Sequence, residues 1–200
     1  GSCARIPSAV AAKTAAIVIQ WPTTLPLLPA LVIGLLAGVL TLWGSIHGYY
    51  HCVMLPLIML EMSEGRPSLL GALDAACLAG VCAGCCAALA AADGARDALP
   101  AARGGLRAQD INFWFGDFVE ACYPYMERSR VVHTAAYLGA AAAGATIITH
   151  EALSSAYLPL PLAPLVSNQP RAMLAALALA VGLPFSVIRL AHCLGWRLYL

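Results

Sequence analysis

The sequence predicts an all-α membrane protein with about four transmembrane helices and an aromatic interfacial helix in the 93–130 connection. Three observations carry this. Hydrophobic residues make up 61% of the 200-residue chain and charged residues 10%, against roughly 45–50% and about 25% in a soluble domain. Eleven basic and ten acidic side chains cannot cover the surface of a soluble fold this size. Four stretches reach the ~20 mostly apolar residues that a helix needs to cross a bilayer. The net charge of +1 offers no field for phosphates, so nucleic acid is excluded as a partner.

Residues 1–24 read as a leader or interfacial segment, and residues 25–200 as one polytopic domain. The start, Gly1-Ser2, is followed by Arg5 and Lys13 among alanines, with no acid through residue 20. That resembles the mature end of an organellar precursor or a short interfacial helix. The first span is expected over about 29–51, entered through Trp21-Pro22, with Trp at the interface. Gly48 and Pro56 leave open whether 44–62 continues it. The second, over 67–92, has Pro67 at its first turn and Asp93-Gly94 as its stop. The third covers 131–152. The fourth covers 171–196, after the proline-rich link 159–170.

With four alternating spans, nine basic residues fall on one side: Arg5, Lys13, Arg96, Arg103, Arg107, Arg128, Arg130, Arg189 and Arg197. Only Arg66 and Arg171 fall on the other. This bias places both ends of the chain on the cytoplasmic or matrix side.

Spans two and three are small-sided. Gly80 and Gly84 mark one, Gly139 and Gly144 the other, and such residues let helix backbones approach closely. This reading seats them against other subunits of a larger assembly; a tight intramolecular bundle is the alternative. The 109–126 segment gathers Phe113, Trp114, Phe115, Phe118, Tyr123 and Tyr125. Aromatic rings with interleaved acids suit the headgroup layer or a docking surface for a partner. The eight cysteines read mainly as small packing residues. Cys82-Ala-Gly-Cys85 lacks the second pair that a zinc site needs.

Ionisable groups at membrane depth are functional candidates by default. Asp74 and Arg189 are candidates for a proton path or an ion pair, Arg189 lying beyond the kink expected at Pro184. Snorkelling to the headgroups is the plainer reading of Arg189. His47 and His51 share a helix face one turn apart. With His133, His150 and His192 they are candidate ligands for a metal or a haem b clasped between helices. No cofactor is required by any of this, although a bound phospholipid such as cardiolipin fits the interface.

The run Pro184-x-Ser186-x-x-Arg189 is similar to the arginine helix of ATP synthase subunit a. Position 193 is Cys where that family places Asn, so the likeness assigns nothing. Gly-x-Ser-Gly and His-Glu-x-x-His are absent from the sequence, and no complete catalytic motif is found. The leading expectation is a non-catalytic subunit of a mitochondrial inner-membrane complex, respiratory or ATP synthase, held among other subunits and lipid. A haem-, quinone- or proton-handling subunit is the second expectation. A small stand-alone transporter or membrane enzyme is the third.

Overall fold

The computed structural model describes residues 26–63, 65, 67–91 and 119–195. It is an all-α membrane protein. Four helices are long and apolar enough to cross a bilayer, with mean hydropathies of 1.5 to 2.1. Helix α1 is Leu27–Ile46. A π-helical turn, Tyr50–Met54, runs into an α-helical part, Leu55–Ser63; together they form the short α2. Helix α3 is Leu69–Ala91, with a π-helical stretch at Asp74–Gly80. Then come α4 (Val119–Arg128), α5 (Arg130–Thr149), a short α6 (Ala163–Val166) and α7 (Pro170–Cys193).

The helix starts have local causes. Ser68 and Ser129 cap α3 and α5, each accepting a backbone N–H, from Gly71 at 2.9 Å and Val132 at 3.3 Å. This satisfies one of the orphan donors at a helix start. Pro170 opens α7, where a missing N–H costs nothing. Helix α1 stops because Gly48 takes φ +79°, a conformation available cheaply to glycine alone. The π turn of α2 lies just ahead of Pro56, which has no N–H to give and crowds the carbonyl one turn back.

Helix α3 is the central element: 89% of its apolar window is buried, against 28% for α1 and 33% for α7. Its direction relative to the others follows from which residues meet. Gly34 lies on Ala145 and Gly38 on Ala140, so α1 and α5 are antiparallel. Ser68 pairs with Ser154 just beyond α5, and Cys77 donates to the Ala140 carbonyl, so α3 and α5 are also antiparallel. Gly84 lies on Val181, and Arg189 reaches Ala91, so α3 and α7 are parallel. Three long helices therefore run one way and α5 runs the other.

Strict alternation of four spans is thus corrected. The chain leaves α1 at the end of the bundle where α5 begins, and it enters α3 at the end where α5 stops. Residues 47–68 must re-cross the bundle between these points. Helix α2, of five plus nine residues, supplies about 21 Å of that crossing at ~1.5 Å per residue. Its length is below that of a normal span, so an apolar count reads it as the tail of α1. The start of α1 and the end of α7 lie at opposite ends, not on one side. Among the described arginines, Arg128, Arg130 and Arg189 gather at the end where α5 begins, and Arg171 lies at the other.

The small faces are filled from within the chain. A Cβ on Gly84 would strike the Val181 backbone, one on Gly139 the Pro184 ring at 2.6 Å, and one on Gly144 the Gly34 and Gly38 backbone. A Cβ on Gly80 would lie 3.0 Å from the Ala180 side chain. The faces expected to seek another subunit are occupied inside the bundle.

Gly84→Ala is expected to destabilise the protein by about 1–3 kcal/mol, the usual cost of overpacking. Gly182→Ala, where a Cβ meets nothing within 4 Å, should be neutral or gain up to ~1 kcal/mol of helix propensity. Thermal unfolding in detergent compares the two; equal effects would mean that α3 and α7 do not approach closely.

Candidate functional site: a buried carboxylate with two tyrosines

Asp74 lies in the second turn of α3 and is 3% exposed. A charged group is costly at membrane depth and persists where partners hold it. The partner here comes from α2. The Tyr50 hydroxyl donates to Asp74 Oδ1 at 2.7 Å. The same hydroxyl lies 3.0 Å from the hydroxyl of Tyr157, in the link after α5. Three elements distant in sequence thus form a continuous chain of polar oxygens. It leads from the buried Asp74 carboxylate to Tyr157, which is 37% exposed.

The backbone around this chain departs from regular helix. The π stretch of α3 begins at Asp74 and that of α2 begins at Tyr50. Such bulges re-aim side chains and occur often at functional sites. Tyr157 has φ +56°, an uncommon conformation for a bulky residue. Strain of this kind persists where surroundings over-determine it. Here the surroundings are tight: Ser154 Oγ donates to the Ala163 carbonyl at 2.9 Å, and the Asn168 side chain joins Leu153 and Glu151.

The other sequence candidates are placed elsewhere. Arg189 is about 25 Å from Asp74, counted along α3 at ~1.5 Å per residue. Its guanidinium donates to the Ala91 carbonyl at 2.8 Å, at the last turn of α3. It caps a helix end and does not face Asp74, so the two candidates lie at separate places in the bundle. His47, His51, His133 and His150 are exposed, and His192 is half-buried. His47 shares a cleft with His133, not an end with His150, because α1 and α5 are antiparallel. His47 Nδ1 meets the Trp43 carbonyl at 2.9 Å and His150 Nδ1 the Thr146 carbonyl at 3.0 Å. Among the described residues no three His, Cys, Asp or Glu side chains group as a metal requires. No two histidines there are buried between helices in the manner of a haem b clasp.

Phe113, Trp114, Phe115 and Phe118 lie outside the described residues. Tyr123 and Tyr125 sit on α4 and are half-buried. Tyr123 is hydrogen-bonded to the Glu127 carboxylate, which pushes its phenol above the usual range by that bond and by repelling the phenolate. Cys82, Cys85, Cys86 and Cys122 are buried free thiols; Cys82 and Cys86 lie 3.9 Å apart. They act as packing residues where α4 meets α3.

Sequence reasoning found Asp74 and missed Tyr50 and Tyr157. The signal for Tyr50 was the Gly48 break, which starts a new helix close to the tyrosine. Nothing local marks Tyr157. Comparison with protein families, characterised proteins and solved structures finds no match to this chain.

Tyr50→Phe removes the hydroxyl that donates to the buried Asp74 carboxylate and is expected to cost about 1–3 kcal/mol. Asp74→Asn keeps an oxygen that Tyr50 can donate to and should cost less. Unfolding midpoints in detergent rank the two; the reverse order would argue against the hydrogen bond as drawn.

Proposed function

We propose that this chain is a proton-handling membrane protein whose working group is the Asp74 carboxylate. The observation that carries the reading is the 2.7 Å hydrogen bond from Tyr50 to buried Asp74, continued to Tyr157 at 3.0 Å. A hydroxyl both donates and accepts. A proton arriving at Tyr157 can therefore be passed on as Tyr50 gives its own proton to Asp74; the two hydroxyls return to their starting state after reorientation, and the proton is held on Asp74 as a neutral carboxyl until it leaves by the same chain or to another acceptor. The discontinuous, π-distorted helix that brings Tyr50 there supports the same reading, because broken helices at membrane depth are tolerated where they build a site. The chain would work as a small transporter, or as the proton-path subunit of a larger assembly.

A second reading keeps the leading sequence expectation: an accessory subunit of a mitochondrial inner-membrane complex. The observation in its favour is the uncovered apolar surface of α1 and α7. Leu36 and Leu40 are exposed on α1, and Leu174 and Leu190 on α7. A partner helix or lipid tails would cover these faces. The internal use of the small-residue faces removes the strongest reason for requiring a partner. Native electrophoresis with mass spectrometry separates a subunit from a protein acting alone.

The functional test is proton flux into vesicles containing the purified full chain and an internal pH-sensitive dye. Asp74→Asn is expected to slow dissipation of an imposed pH gradient by about a hundred-fold, the low end of what a positioned proton-transfer group contributes. Tyr50→Phe should slow it as well. Wild-type flux in Asp74→Asn would sink the proposal.

A further inference from the structure

At the end of the bundle opposite Tyr157, α1, α4 and α5 enclose a cleft of about 470 Å³. That lies within the roughly 300–1,000 Å³ of small-molecule sites. Its wall carries both signs of charge, Glu127 from the last turn of α4 and Arg130 from the first turn of α5. A ligand that is only an anion would meet Glu127, and one that is only a cation would meet Arg130. The complement is a zwitterion.

The remaining groups narrow the class. Tyr123 lies one turn before Glu127 and lines the same cleft, and the neighbouring carboxylate pushes its phenol above the usual range. Carboxylate oxygens accept several hydrogen bonds, so Glu127 keeps capacity for a primary ammonium. Arg130 presents a planar fork of donors, the geometry that matches phosphate. His47 also lines the cleft. Because its Nδ1 donates to the Trp43 carbonyl, the neutral ring keeps Nε2 as an acceptor. Ile46 and Met126 complete an apolar part of the wall. The cleft sits where α1 ends and α5 begins, the end of a spanning helix being where it meets the headgroup layer.

We infer that this cleft is a binding site for a phosphoethanolamine-type zwitterion, with phosphate on Arg130 and ammonium on Glu127. That chemistry is offered by a phospholipid headgroup and by the free phosphoester. The inference does not depend on Asp74, which lies toward the other end of the bundle.

The test uses the full chain in phosphatidylcholine nanodiscs, with thermal unfolding followed during titration. O-phosphoethanolamine should stabilise it more than phosphocholine or inorganic phosphate does. Arg130→Gln should weaken the apparent affinity about ten-fold or more, as expected for a hydrogen bond to a charged group. Glu127→Gln should erase the preference for ammonium over trimethylammonium. Arg171→Gln, at the opposite end, should change nothing. In a second arm, phosphatidylethanolamine is added to the nanodiscs and lipid retained through purification is measured by mass spectrometry. Selective retention that Arg130→Gln abolishes identifies the lipid as the source. A response in the soluble arm alone identifies the free phosphoester. The inference is overturned if neither arm prefers the ethanolamine form, or if the preference survives both cleft variants.

Discussion

The return of the chain across the bundle between Ile46 and Ser68 is the constraint on which the rest depends. Without it, α1 and α3 would be antiparallel, and Tyr50 would not lie beside Asp74. The return is anchored at its start and just past its end. Tyr50 donates to Asp74, and Ser68 exchanges two backbone hydrogen bonds with Ser154 at 2.7 and 2.9 Å. In lipid, backbone groups outside a regular helix must find partners in the protein. The Ser68–Ser154 pair provides them where α2 gives way to α3.

Close packing then decides which helices can neighbour one another. Lipid tails are as apolar as the helices, so association rests on contact between surfaces and not on burial from water. The paired approaches Gly34–Ala145, Gly38–Ala140 and Gly84–Val181 bring α1 onto α5 and α7 onto α3 with almost no side chain between them. Helix α3 takes its central place with a surface mostly of Ala, Gly and Cys among a few Leu and one Val, and the buried Asp74 is its one acidic side chain. Burial in a small-sided helix makes that carboxylate dependent on a donor from elsewhere, and α2 and the 150–169 link supply the tyrosines.

Much of this was legible in the sequence. The four long helices follow from apolar length and hydropathy, and Ser68, Ser129 and Pro170 mark starts close to those expected. Asp74 stood out because a lone acid in an apolar run is costly at membrane depth, although a place near the interface with local water was the plainer reading of it. The topology was not legible, because α2 is too short to count as a span and its apolar residues merge with those of α1. The partners of Asp74 were hidden for a related reason. Tyr50 and Tyr157 are 107 residues apart, and only the reversed direction of α2 and the turn after α5 bring their hydroxyls together. The glycine faces were recognised as interfaces, but a repeat of small residues does not say whether the approaching backbone belongs to the same chain.

The most direct measurement of the re-crossing is which membrane face each end of the bundle occupies. In sealed vesicles of one orientation, with Cys3 and Cys52 replaced by Ser throughout, Leu27→Cys in a Cys193→Ser background reports the start of α1, and native Cys193 reports the end of α7. Both positions are exposed. A membrane-impermeant maleimide applied from outside is predicted to label one of these positions and not the other. Labelling of both from the same face would mean that the spans simply alternate, that α2 does not cross, and that Tyr50 does not meet Asp74.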